Sequence, residues 1–130
     1  VPLPRLELVH QRNGAKHLKP LFDPGRVTAT PAALAALDSS NVSPLELLNR
    51  HIAGDWGTAG RWEDIEPHLT PDEIRGGATE TSDDGKLNAI ALLRGDGRRI
   101  CGYYQLPSGV TIWVFSYPGD HTTIMLPNEY

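Results

Sequence analysis

Apolar and polar positions alternate most regularly in the last third of the chain. In the run VTIWVFSY, Val110, Ile112 and Val114 fall on one face of an extended strand and Thr111, Trp113, Phe115 and Tyr117 on the other, so both faces are at least partly covered. Two further β-rich runs, 98–106 and 121–126, are set off from it by Pro107-Ser108-Gly109 and Pro118-Gly119-Asp120. A fourth strand is expected at 87–93, entering through Gly95-Asp96-Gly97. Short runs divided by Gly- and Pro-containing turns read as successive hairpins, hence an antiparallel meander.

The pattern changes to a helical one upstream. Thr30 is placed to cap a short helix and Pro31 sits in its first turn, where a missing N–H is harmless; 38–41 stop it. A second helix carries Ser43 as cap, Pro44 at the first helical position and Glu46 three residues after the cap, the arrangement of a capping box. Leu45, Leu48 and Ile52, with Leu47 beside them, form its apolar stripe, and Gly54 is its expected stop. Residues 1–29, with Pro2, Pro4, Pro20 and Pro24 and no sustained periodicity, read as an arm. Residues 58–86 read as an acidic excursion anchored by Trp62, Ile65, Leu69 and Ile74, with one helical turn at Thr70-Pro71-Asp72-Glu73 and a mobile loop over 76–85. The expected architecture is therefore α+β: an N-terminal arm and two short helices packed on a four-stranded antiparallel β-meander. The whole of 1–130 makes one domain, divided into arm (1–29), helical hairpin (30–57), acidic insertion (58–86) and antiparallel sheet (87–130).

Composition narrows the function classes. One hundred and thirty residues suffice for one core, and no apolar run approaches the roughly 18 residues that span a bilayer. No secretory signal is visible in the first residues, and the single Cys101 cannot form an internal disulfide, so the expected compartment is the cytoplasm and no membrane partner is expected. The net charge of −4 is uneven. Residues 1–26 sum to +3 and residues 55–86 to −6. A basic arm can touch phosphate, and an acidic insertion can meet a basic partner; an ordinary solvated tail and a soluble insertion are the plainer readings.

Two clusters carry candidate chemistry. In His51-x-x-Gly54-Asp55-Trp56-Gly57, the histidine lies on the last turn of the second helix beside its apolar stripe, and its ordinary pKa of about 6.5 suits proton transfer near neutrality. The plainer alternative is a histidine stacked on Trp56, with Asp55 bonding the backbone of the turn. The second cluster is His121 and Thr123 on one strand face, with Thr122 on the other and Tyr103 or Tyr104 nearby; here threonine is also simply a good strand residue. Arg94, Arg98 and Arg99 flank the Gly95-Asp96-Gly97 turn, where they can hold a phosphate or face water. No metal ligand set, cofactor-binding loop or nucleophile elbow is present in the sequence, so no metal and no cofactor is expected.

The run Leu45-Glu46-Leu47-Leu48-x-Arg50-His51-x-x-Gly54-Asp55-Trp56-Gly57, then Asn88, Tyr104-x-Leu106-x-x-Gly109-x-x-Ile112-Trp113 and Thr122-Thr123-Ile124-x-Leu126-Pro127-x-Glu129-Tyr130 resembles a family of small bacterial proteins common on plasmids and other mobile elements. Its members are often labelled type I restriction endonuclease modification subunits. This chain is too short for a methyltransferase and lacks a Gly-rich cofactor turn, so that function does not carry over. It also departs from the family in the length of 58–86 and in reading Gly119-Asp120-His121 where an Asp-Arg-Ser is usual. Helices followed by a four-stranded meander also resemble the barnase, colicin and RelE group of metal-independent ribonucleases.

That second resemblance implies His51 as base, His121 as acid, Arg50, Arg94 or Arg99 near the phosphate, and Tyr104 or Thr123 as hydrogen-bond donors, acting on RNA. It requires His51 and His121 within about 8 Å of each other. The competing expectation is a non-catalytic binding module, an inhibitor or accessory factor docking on a host or defence protein. It requires His51 and Asp55 in structural hydrogen bonds, with Trp56, Gly57 and Asn88 as framework, and an exposed apolar patch involving Trp62 or Tyr117. A small-molecule sensor would instead need a deep pocket.

Overall fold

Capping and turn chemistry set the first elements of the chain. In the computed structural model, which describes residues 2, 19–76 and 83–130, a strand β1 (Arg26–Ala29) leads into α1 (Pro31–Ser39), whose first free N–H groups are met by the Thr30 side chain accepting from Ala33. Ser43 does the same for α2 (Pro44–Ile52), accepting from the Leu45 N–H. Both caps fall where the sequence puts them. Gly54, with φ of +95°, follows the end of α2.

The excursion is more structured than expected. It forms α3 (Trp62–Ile65), a 3₁₀ turn (Glu66–His68) and α4 (Pro71–Gly76), and Trp62, Ile65 and Leu69 pack with Ala59 around buried Trp56. The expected mobile loop over 76–85 falls partly on 77–82, which lie outside the described residues. Gly85 belongs to a helix.

That helix is the first correction. Residues 87–93 are not a strand but the body of α5 (Asp84–Arg94), which Asp83 caps by accepting from the Lys86 N–H and Gly95 closes in the left-handed conformation at φ 63°. Residues 86–93 are mostly Lys, Leu and Ala, and good helix formers between an acidic cap and a terminal glycine favour the helix over a strand read from apolarity alone. Gly95-Asp96-Gly97 is accordingly a helix exit, not a hairpin turn.

The sheet is the second correction. β2 (Ile100–Gln105), β3 (Thr111–Tyr117) and β4 (His121–Met125) form the expected antiparallel hairpins, but the fourth strand is β1, taken from the segment read as an arm. It pairs parallel with β4, giving the order β1-β4-β3-β2 and a mixed sheet. The α+β class holds; the purely antiparallel meander does not. A parallel partner cannot follow by a tight turn, so the pairing of β1 with a strand some 95 positions later leaves no local sequence signal.

Register sorts every strand residue to one side. Ala29, Ile124, Val114 and Gly102 line up across the sheet and face inward, as do Val27, Thr122, Ser116 and Ile100. Inward side chains meet Leu37, Leu47, Leu48 and Ile52 of the first two helices in the main core. Thr28, Thr123, Phe115 and Cys101 form an outward row, flanked by the rows Arg26, His121, Tyr117 and Met125, Trp113, Tyr103. The β2 edge is covered. Tyr103 bonds through both backbone groups to the Trp56 to Thr58 segment, and the Asn88 amide donates to the Cys101 carbonyl (2.7 Å) and accepts from its N–H (2.9 Å).

Candidate functional site

His51 is fully buried and bonded through both ring nitrogens. The amphipathic stripe of α2 turns it into the core between Phe22, whose ring centroid is 5.5 Å away, and Tyr104 at 6.4 Å. Room for the ring comes from Gly102: a Cβ there would stand 2.7 Å from Nδ1. Its stacking partner is thus not Trp56, which instead donates its indole N–H to the His51 carbonyl at 3.1 Å.

A hydrogen-bond chain runs through this ring. Tyr104 donates its hydroxyl proton to the Asp55 carbonyl at 2.8 Å, and its oxygen lies 3.2 Å from His51 Nδ1. Nε2 lies 3.0 Å from Ser116 Oγ. Ser116 also touches Thr122 Oγ1 at 2.6 Å, and Thr122 reaches the Pro24 carbonyl at 2.8 Å. With a neutral ring, four protons serve five contacts: Thr122 gives its proton to the Pro24 carbonyl, and the ring nitrogen that carries the proton decides which of the remaining contacts goes without one. Burial lowers the His51 pKa to about 3. The chain of contacts joins α2, the turn after it, β2, β3, β4 and the entry to β1.

Asp55 is committed in the same way. Its carboxylate accepts from Arg50 Nε at 2.7 Å and from the Gly57 N–H at 3.2 Å. Burial pushes its pKa up, but the guanidinium and the backbone N–H outweigh that and hold it below its ordinary value. The neighbouring turn leaves no slack: Gly57 has φ of +67°, and a Cβ on it would meet the Tyr103 carbonyl oxygen at 1.9 Å.

The remaining candidates lie elsewhere. Thr122 faces inward and bonds Ser116, its register partner, so His121 and Thr123, one residue either side of it, face outward. His51 and His121 therefore stand on opposite faces of the sheet. The His121 Nδ1 is 2.7 Å from Asp120 Oδ2, and its ring lies 5.1 Å from Tyr117. Arg94 braces α5 against α4, reaching Asp96 at 3.1 Å and the carbonyls of Ile74 and Arg75. Tyr104 is on the inner face with His51. The structure thus unites His51 with Tyr104 and Asp55, with Trp56 and Gly57 in the turn beside them, sets Asn88 apart at the β2 edge, and does not bring His121, Thr123 or Arg94 to the same place.

Sequence reasoning missed Ser116, and it named Arg99 and Tyr130 without pairing them. The signal for Ser116 was available: alternation from Ile112 and Val114 puts a hydroxyl at an inward position of an apolar face. Arg99 lies 4.7 Å over the Phe115 ring and 5.6 Å from that of Tyr130, whose ring in turn packs on Phe115 at 5.0 Å and Trp113 at 5.8 Å. Trp113 is stacked on Phe115 and tilted on Tyr103, each at 5.4 Å. The residues of this outward cluster that belong to the sheet, Cys101, Phe115, Met125, Tyr103 and Trp113, pack on one another with no residue of α1 to α5 among them.

Cavities open among the described residues on the helical side. One of about 500 Å³ lies between α1 and α2, lined by Leu34, Leu37, Asn41 and Pro44, and one of about 190 Å³ lies beside Arg50, Asp55 and Arg61. Neither receives His51. Among the described residues no group of three or more His, Cys, Asp or Glu side chains is placed to hold a metal ion, and no helix is long and apolar enough to cross a membrane. Comparison with protein-family models, with curated proteins and with solved structures finds no match.

Proposed function

We propose that this chain is a non-catalytic binding module whose contact surface is the outward face of its sheet. One observation carries the reading. The residues best suited to acid–base work are consumed by the interior: His51 is buried, bonded through both nitrogens and held neutral, while His121 stands on the other side of the sheet. General acid–base catalysis needs both groups within reach of one substrate. A ribonuclease mechanism resting on that pair is not assembled.

The outward face has the opposite character. Two of its aromatic residues, Tyr117 and Tyr130, are exposed, a residue type enriched where proteins meet partners. Asp55, Trp56, Gly57 and Asn88 act as the framework that holds the sheet edge in place. The mobile-element setting belongs to this proposal through the sequence resemblance alone, and a cytoplasmic location through the lone Cys101 and the lack of a visible secretory signal.

Site-specific photo-crosslinking in cells tests it. A benzophenone side chain at Tyr117 should give a discrete adduct, and one at Leu93, an exposed residue of α5, should not. Equal or absent adducts from both positions would overturn the proposal, as would loss of an RNA-cleaving activity on His121→Ala.

A further inference from the structure

Phe115 and Cys101 point outward from the sheet, yet they are only 7% and 5% exposed, although none of α1 to α5 contributes to their cluster. Part of their cover comes from the segment that follows β4. The Tyr130 ring packs on Phe115 and Trp113, and its hydroxyl is bonded by Arg99, whose guanidinium lies over the Phe115 ring. The side chains of Arg99 and Tyr103 are in turn within hydrogen-bonding reach of the Cys101 thiol.

Local chemistry shapes this segment. Pro127 opens a 3₁₀ turn (Pro127–Glu129), and Glu129 Oε1 accepts from the Leu126 N–H at 2.8 Å and from the Thr30 hydroxyl at 2.6 Å. Thr30 is the cap of α1, so the turn is tied to the start of that helix. The ties are few. Residues 127–130 are exposed, and Tyr130 keeps 71% of its surface in water while touching two rings. A segment held by exposed bonds and little burial opens at a small free energy, well before the protein unfolds.

Resting on the reading of the outward face as the contact surface, we propose that residues 126–130 are a strap that closes that face, and that a partner reaches Phe115 only after Tyr130 has left it. In the closed form Tyr130 occupies the seat made by Phe115, Trp113 and Arg99. In the open form Arg99 loses its hydroxyl partner, and the Phe115 ring joins Tyr117, two residues along the same face of β3, in one apolar patch. Glu129 sets the turn and Tyr130 supplies the cover, so the two can be separated by substitution.

Cys101 is the single cysteine of the chain, so its reaction with 5,5′-dithiobis(2-nitrobenzoic acid) under native conditions reports the opening. Tyr130→Ala should speed that reaction about 10-fold, the size of one aromatic pair with a cation–π contact. Glu129→Ala should speed it several-fold, and Val110→Ala, at an exposed position beside the β2–β3 turn, should leave it unchanged. Rates in 0 and 1 M urea separate the strap from global unfolding, because release of five residues exposes little surface and responds weakly to denaturant. In cells, the adduct formed by benzophenone at Tyr117 should increase about 3-fold in the Tyr130→Ala background. Unchanged thiol rates in both strap variants, or an acceleration as steep in urea as global unfolding, would overturn the strap. Faster thiol reaction with an unchanged adduct yield would show that the segment covers the cluster without gating it, which overturns the proposal and leaves the binding module standing. No adduct in any background removes the binding module, and the gate with it.

Discussion

His51 Nε2 lies 3.0 Å from the hydroxyl of Ser116, a residue 65 positions further along the chain, with both side chains fully buried. This contact makes a helix–sheet tie out of a side chain that reads in the sequence as a catalytic base. His51→Ala removes a large buried ring and leaves the Tyr104 and Ser116 hydroxyls without their partner, so a loss of about 3–5 kcal/mol is expected from cavity and unpaired polar groups together. Chemical denaturation checks it. Ser116→Ala, which removes one link and little volume, should cost about 1–3 kcal/mol.

The buried neutral ring also sets a pH dependence. His51 has a pKa near 3 in the folded protein and about 6.5 unfolded, so between those values the unfolded chain binds more protons. Its contribution to stability is present in full above pH 6.5 and is lost as pH falls toward 3, at about 1.4 kcal/mol per pH unit within that window. Denaturation midpoints across pH 4–7 should show this slope. His51→Gln should flatten it, and an unchanged slope would place the titration elsewhere.

Asn88 replaces a strand at the β2 edge by pairing with both backbone groups of Cys101. Asn88→Ala leaves a buried N–H and C=O unpaired and should cost about 2–4 kcal/mol, with faster amide exchange at Cys101. Asn88→Asp tests the geometry more sharply. An ionised carboxylate has no proton for the Cys101 carbonyl, so this variant should be the less stable of the two at neutral pH. It should recover as the pH is lowered, because the protonated acid can donate.

How much of this was legible depends on the range of the interaction. The caps at Thr30 and Ser43, the stop at Gly54 and the hairpins β2–β3 and β3–β4 are local, and the sequence states each of them. The helix at Asp84–Arg94 was misread because a short, mostly apolar run fits either state, and the Asp83 cap and Gly95 exit were passed over as loop and hairpin. β1 was misread for another reason: a four-residue parallel partner of β4 has no turn to announce it. At the site, the residue types singled out do cluster around His51, Asp55, Trp56 and Tyr104. What the sequence cannot contain is the side of the sheet on which His51 sits. That side separates it from His121, and strand alternation gives it only once β4 is known to lie between β1 and β3.

Gly57 is the point at which the GDWG turn meets the sheet. Its φ of +67° already disfavours any side chain, and a Cβ would stand 1.9 Å from the Tyr103 carbonyl oxygen, which itself accepts from the Thr58 N–H at 3.0 Å. Relief would require Trp56 to Thr58 to withdraw from β2, breaking the two bonds that cover the edge and loosening the Asp55 carbonyl that receives the Tyr104 proton. Gly57→Ala should therefore cost more than 2 kcal/mol, well above the strain of a left-handed alanine by itself. Gly109→Ala supplies the comparison: φ there is +93°, and nothing stands within 4 Å of the added Cβ, so only the backbone term remains. Thermal unfolding of the two variants isolates the contact with β2 as their difference. If the losses are equal, Gly57 serves the turn alone, and the edge of β2 is held by Asn88 without it.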